Sequence, residues 1–248
     1  MKISFVNVLV LAIALLAIGC APQAEPIAET TPPALATVST VLDAAAQQAL
    51  TPDQVLADLK AGNRRFAEGT LTQRDYLAQA AATATDGQYP KAAILGCVDS
   101  RVPPEVIFDQ GIGDVFVGRV AGNVEDINLV GSLEFATKVA GSKVIVILGH
   151  TSCGAIKGAA DGVELGSLTE LLKNFDAPIA RADEATEGEA NSSNKEFLDL
   201  AIEENVRQTI ADVLAQSEIM SQMVEDGELM IVGGVYDLST GWVEWLEE

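Results

Sequence analysis

The sequence predicts an α/β protein: a mostly parallel central sheet of about four strands plus a C-terminal edge strand, flanked by helices. Three observations carry this expectation. Short apolar, β-branched runs alternate with longer segments of helical periodicity. Apolar residues make up 48% of the 248-residue chain. About 200 residues remain beyond a leader and tether, enough for one domain with a full core. Finally, two of the strand-like runs end in clustered polar chemistry, as open parallel sheets do at their carboxyl ends.

The elements follow in order. Residues 1–19 hold one basic residue, Lys2, and an apolar run over 6–18. That run is shorter than the ~20 residues a membrane span needs, so it reads as an export signal. Leu16-Ala17-Ile18-Gly19-Cys20 resembles a bacterial lipoprotein cleavage box, with Ala17 where a Leu is usual and Cys20 as the lipidated residue and anchor to the membrane; an ordinary signal peptide with an incidental cysteine is the alternative. Ala21 follows where an Asp often retains lipoproteins at the inner membrane, which favours the outer membrane in a Gram-negative host. An exported, periplasm-facing lipoprotein is the expectation. Residues 20–48 are rich in Ala, Pro, Thr and acids and read as a disordered tether.

The folded domain is expected over 49–248. Thr51, Pro52 and Gln54 form a helix start of the capping-box type, and Val55, Leu56, Leu59 and Phe66 keep helical spacing behind it. A turn over 86–90 leads into a buried strand at 92–95, which Pro103-Pro104 closes off. A helical turn is expected at 105–108, a second strand at 114–117, and a helix over 125–140. Lys143-Val-Ile-Val-Ile-Leu148 is the third strand, and 155–160 opens a helix behind it. An amphipathic stretch spans 165–182, an acidic loop 183–194 and a long helix 196–224. A fourth strand at 229–235, a turn at 236–241 and an edge strand at 242–246 finish the chain.

The formal charge is −21, and becomes −22 when Lys2 leaves with the leader. Such a surface repels nucleic acid and anionic lipid, and no basic patch offsets it. No nucleic-acid partner is expected.

The chemistry sits at two strand ends. Gly96-Cys97-Val98-Asp99-Ser100-Arg101 follows the first strand, and Gly149-His150-Thr151-Ser152-Cys153-Gly154 follows the third. His150 is the one histidine of the chain, and Cys97 and Cys153 are its two cysteines beyond position 20. Two thiolates and one imidazole suit a Zn²⁺ site that leaves a fourth position for water. Asp99 and Arg101 stand beside the first thiol, spaced to form an ion pair. The same residues also admit a Cys97–Cys153 disulfide in a non-enzymatic envelope protein, or a buried thiol near a satisfied loop histidine.

Cys97-x-Asp99-Ser100-Arg101 and His150-x-x-Cys153-Gly154 resemble the zinc signatures of the β-class carbonic anhydrases. Gly113-Asp114-Val115-Phe116-Val117-Gly118-Arg119-Val120-Ala121-Gly122-Asn123 and Ser132-Leu133-Glu134-Phe135 resemble further motifs of that family, and the likeness spans about residues 50–248. It implies zinc held by Cys97, His150 and Cys153, and reversible hydration of CO₂ to bicarbonate and a proton. It implies that Asp99 orients the attacking water and that Arg101 keeps Asp99 ionised. Gln88, Phe116, Ala121, Phe135 and Gly154 then line the substrate pocket, with Gln88 and Phe135 contributed by a partner subunit. A homodimer or higher even oligomer is implied as well. Some members carry the same zinc signatures and hydrolyse carbon disulfide or carbonyl sulfide instead. Others hold bicarbonate in a side pocket and have a tryptophan three residues before the first cysteine; Ile94 stands there here. That substitution favours the state in which Asp99 pairs with Arg101 rather than with the metal.

Overall fold

A computed structural model describes residues 37–247. The expected signal peptide, Cys20 and most of the expected tether lie outside the described residues. The end of that tether is ordered: α1 (Ala44–Ala49) is capped by Asp43. Its buried Gln47 donates to the carbonyls of Pro90 and Ala140 at 2.7 and 2.8 Å. This tertiary anchoring leaves no trace in the composition of residues 20–48.

The next helix, α2 (Pro52–Ala67), starts as its sequence dictates, with the reciprocal Thr51–Gln54 capping box in place. Then comes α3 (Tyr76–Asp86), a helix that the sequence reading did not anticipate. It is alanine-rich and capped by Asp75, but it has no apolar stripe to announce it.

The rest is the expected alternation. β1 (Ala92–Gly96), the short α4 (Pro104–Ile107) and β2 (Val115–Arg119) come first. α5 (Ile127–Glu134) runs on into a π-helical turn, Phe135–Val139, and β3 (Val144–His150) follows. After it stand α6 (Gly154–Ala160), α7 (Gly166–Leu172) and α8 (Asp176–Ala185). The long C-terminal helix is two helices, α9 (Lys195–Gln216) and α10 (Glu218–Glu225). The break is at Ser217, whose backbone is extended and whose hydroxyl both caps the Met220 N–H and donates to Glu134 at 2.6 Å. β4 (Met230–Tyr236) and the brief β5 (Val243–Trp245) close the chain.

The strands form one five-stranded sheet in the order β2-β1-β3-β4-β5. The first three pairings are parallel and β4–β5 is antiparallel. The pleat sends Ala93, Leu95, Ile145 and Ile147 to one face, against α5, α9 and α10. It sends Ala92, Ile94, Val144, Val146 and Leu148 to the other, against α2 and α4. Ile94 is fully buried in that second layer. A third apolar cluster, with Ile156, Phe175, Phe197 and Ile202, covers the carboxyl ends of the strands and encloses Cys97 and Cys153.

On the second face, α2 crosses the end of α4 at very short range. A Cβ added to Gly62 would meet the Phe108 carbonyl oxygen at 1.9 Å. Asn63 uses the closeness to donate to Ile107 and Gly241 and to accept from the Val243 N–H. Nearby, the buried Asp109 carboxylate accepts from Arg65, Arg74 and Thr72. Burial alone would push that carboxyl up, but these donors outweigh it and hold it below its ordinary value. Gly62→Ala is expected to lower stability by about 1–3 kcal/mol through this backbone clash. Urea unfolding checks it, with a wild-type midpoint counting against the close approach.

Candidate metal centre

The sheet order reverses between β1 and β3: the chain goes from β1 to β2 on one side, then crosses to β3 on the other. In open α/β sheets this switch point, at the carboxyl ends of the strands, is where ligands bind. Cys97 directly follows β1 and His150 is the last residue of β3. Strand β3 extends two residues beyond the expected 143–148, and its parallel pairing with Tyr236 fixes His150.

Cys153 completes the group. The turn from His150 passes through Ser152 in the left-handed region, φ 57°, and Cys153 stands at the start of α6. The ligand atoms of Cys97, His150 and Cys153 lie within 4.8 Å of one another, and all three residues are buried. Both cysteines are free thiols. His150 engages the Thr151 carbonyl through Nδ1 at 3.0 Å. Its Nε2 is buried and has no hydrogen-bond partner. A carbonyl-bound Nδ1–H leaves Nε2 with a bare lone pair, the tautomer that ligates metal. An orphaned buried nitrogen beside two thiols fits a bound cation, and a mixed sulfur and imidazole donor set suits Zn²⁺.

The Cys97 sulfur is prepared as an anion. It accepts the backbone N–H groups of Asp99 at 3.4 Å and Gly122 at 3.3 Å. The hydrogen bond from Cys153 is the largest influence; the two amides add to it, against burial, and the thiol is lowered to about 4. Cys153 moves the other way, pushed up by its bond to the Cys97 thiolate and by burial. Gly122 reaches the sulfur because it adopts φ 70° under the ring of Phe175, where a Cβ would meet Phe175 at 2.3 Å. The buried Asn205 holds the Gly122 carbonyl at 2.8 Å.

Asp99 sits over the centre, its Oδ2 4.0 Å from His150 Nε2. Arg101 grips it in a bidentate fork, Nε to Oδ1 at 3.0 Å and Nη2 to Oδ2 at 2.8 Å, and its amide adds a third bond at 2.9 Å. The fork holds the Asp99 carboxyl well below the usual carboxylate range. The expected ion pair is therefore formed. Sequence reasoning gave no role to Arg119, which closes the loop from the β2 side by donating to the carbonyls of Cys97 at 2.8 Å and Asp99 at 2.5 Å. Its place at the end of β2, in register with Gly96, is the signal that could have revealed it.

The expected pocket residues divide. Gly154 is exposed next to Cys153, and Ala121 adjoins Gly122 on the loop that touches the Cys97 sulfur. Phe116 is paired with Ala93, four residues before Cys97, roughly 13 Å back along the strand. It stacks edge-on with the half-exposed Phe135 at 5.9 Å, lining a groove of about 570 Å³ along the free edge of β2. Gln88 precedes β1, at the opposite end of the sheet, beside Thr83 and Ile112. A single chain thus brings neither Gln88 nor the Phe116–Phe135 pair to its own Cys97–His150–Cys153 group.

Comparison with known proteins agrees with this geometry. A family profile described as carbonic anhydrase matches residues 92–243. Carbonic anhydrase 2 of Mycobacterium tuberculosis is 38% identical over 74% of this chain and 87% of its own length. The carbonic anhydrase of Mycolicibacterium smegmatis is 36% identical over 75% and 89%. Among solved structures, a tetrameric β-carbonic anhydrase of Sordaria macrospora superposes with a TM-score of 0.61 at 28% identity, covering 69% of this chain and 92% of its own. A Coccomyxa β-carbonic anhydrase bound to acetazolamide gives 0.60 at 28%, covering 78% and 86%.

The thiol asymmetry has a direct readout. Metal-stripped protein should carry one thiolate per chain at pH 6, seen by its ultraviolet absorbance and titrating near pH 4. Cys97→Ser should abolish it. A titration near pH 9 in the parent chain would contradict the proposed donors to Cys97.

Proposed function

We infer that this chain, which belongs to the β-class carbonic anhydrases, is a zinc enzyme that interconverts CO₂ with bicarbonate and a proton. The observation that carries the reading is the buried Cys97–His150–Cys153 donor set, with the Asp99–Arg101 pair 4.0 Å from the unpartnered imidazole nitrogen. Zinc held by Cys97, His150 and Cys153 would supply a Lewis acid that makes water nucleophilic near neutral pH. The surrounding residues do the rest. Asp99, kept ionised by Arg101, offers an acceptor of fixed direction that aligns a water proton and turns the lone pair toward carbon. The amides of Asp99 and Gly122 donate to the Cys97 sulfur, and the Thr151 carbonyl holds the His150 ring through Nδ1.

CO₂ is uncharged and apolar, so it needs an apolar, water-poor approach rather than a charged one. The groove lined by Phe116, Phe135, Leu129 and Leu95 has that character but lies away from the chain's own centre. We propose that a second copy seats against this β2 edge, where Ile127, Phe135 and Val139 are exposed, and that the Gln88 and Phe135 of each copy serve the neighbour's site. The tetrameric state named for the Sordaria protein accords with such even assemblies.

The organisation of the chain is proposed as read from sequence: a signal peptide over 1–19, lipidated Cys20 with its tether, and the catalytic domain beyond. It would work on the periplasmic side of a membrane. No helix among the described residues is long and apolar enough to cross one. The native N-terminus should be a lipid-modified Cys20 by mass spectrometry; an unmodified terminus or a retained Met1 would refute export in this form.

The function is tested by stopped-flow CO₂ hydration together with metal analysis. Purified protein should contain about one zinc per chain, and Cys153→Ser should lose most of the metal and all measurable turnover, given the 10–100-fold or larger cost typical of damaged metal sites. Full zinc and normal turnover in that variant would overturn the assignment.

A further inference from the structure

We propose that Arg119 is a positioning residue of this centre: its guanidinium fork fixes the Cys97–Asp99 backbone, and through it the shape of the metal-binding loop. The proposal rests on the metal-centre reading above.

The argument is one of peptide planes. The peptide joining Cys97 to Val98 is held from both sides, since its carbonyl accepts from Arg119 Nε at 2.8 Å and its N–H donates to Val120 at 3.2 Å. The Asp99 carbonyl is held by Arg119 Nη2 at 2.5 Å and by the Val102 N–H at 3.0 Å. The intervening peptide has little freedom left, and its N–H, that of Asp99, is aimed at the Cys97 sulfur at 3.4 Å. The Asp99 carboxylate is then presented to Arg101 and toward His150 Nε2. One rigid side chain thus sets two functional directions, the amide toward sulfur and the carboxylate toward the attacking water.

The device also suits its position. Arg119 ends the edge strand β2, in register with Gly96, so its side chain crosses the loop that leaves β1. A planar guanidinium spans two carbonyls at fixed spacing, whereas a lysine ammonium acts as a single point. Arg119 is exposed and belongs to none of the three apolar clusters, so its removal takes no packing from the core. Its role differs from that of Arg101, which grips the Asp99 side chain rather than the main chain.

The test compares wild type, Arg119→Ala and Arg119→Lys by three readouts: amide hydrogen exchange of the metal-free protein, zinc release to excess chelator, and urea unfolding. In Arg119→Ala the amides of Asp99, Arg101 and Val102 should exchange at least about tenfold faster, and zinc should leave about 10–100-fold faster. The urea midpoint should stay at the wild-type value. Arg119→Lys should recover little of either loss. Wild-type exchange and zinc release in Arg119→Ala would overturn the proposal. So would full rescue by lysine, which would make the role one of charge, or faster exchange spread evenly over β1 and β3 with a lowered midpoint. If the wild type binds zinc but does not hydrate CO₂, the proposed function falls while zinc release still judges Arg119. If it takes up no zinc, the exchange data alone decide the clamp.

Discussion

The parallel ladder between β1 and β3 is the constraint on which the centre depends. It pairs Gly96 with Leu148 and so puts Cys97 and His150, 53 residues apart in sequence, at one end of adjoining strands. A slip of one residue would turn every side chain of either strand to the opposite face. Both faces here are buried, so the hydrophobic layers that specify the register also specify the metal-binding geometry. The stability of the sheet and the preorganisation of the site are therefore the same property.

Around that frame, polar groups aim the functional atoms. Thr151 orients His150, Arg101 orients Asp99, and Gly122 with Asn205 behind it directs an amide at the Cys97 sulfur. Such outer contacts fix tautomer, charge state and direction before any ligand arrives. Under the proposed reaction they also give an anionic product local cationic neighbours in an acidic protein. Attraction over distance is absent at a net charge of −21, but Arg101 and Arg119 both flank the carboxylate loop. Recognition is local where the global field is unfavourable.

Much of this was legible in the sequence. The β-branched run 143–148, the capping box at Thr51 and the two clusters of Cys, His, Asp and Arg each carry a local signal that survives folding. The missed elements lacked one. Helix α3 has alanine propensity without a stripe, α1 is held by a single buried glutamine, and the break at Ser217 depends on Glu134, 83 residues away.

The sequence by itself determined the alternation of strands and helices, the donor set Cys97, His150 and Cys153, and the pairing of Asp99 with Arg101 two residues on. These depend on short-range spacing and on residue chemistry, which are properties of the linear chain. Only the tertiary structure decided which imidazole nitrogen is free, which thiol is the anion, that Arg119 grips the loop backbone, and that Gln88, Phe116 and Phe135 lie away from their own centre. Each of those depends on groups distant in sequence meeting in a buried, low-dielectric space, where a single hydrogen bond or strand register sets direction and charge.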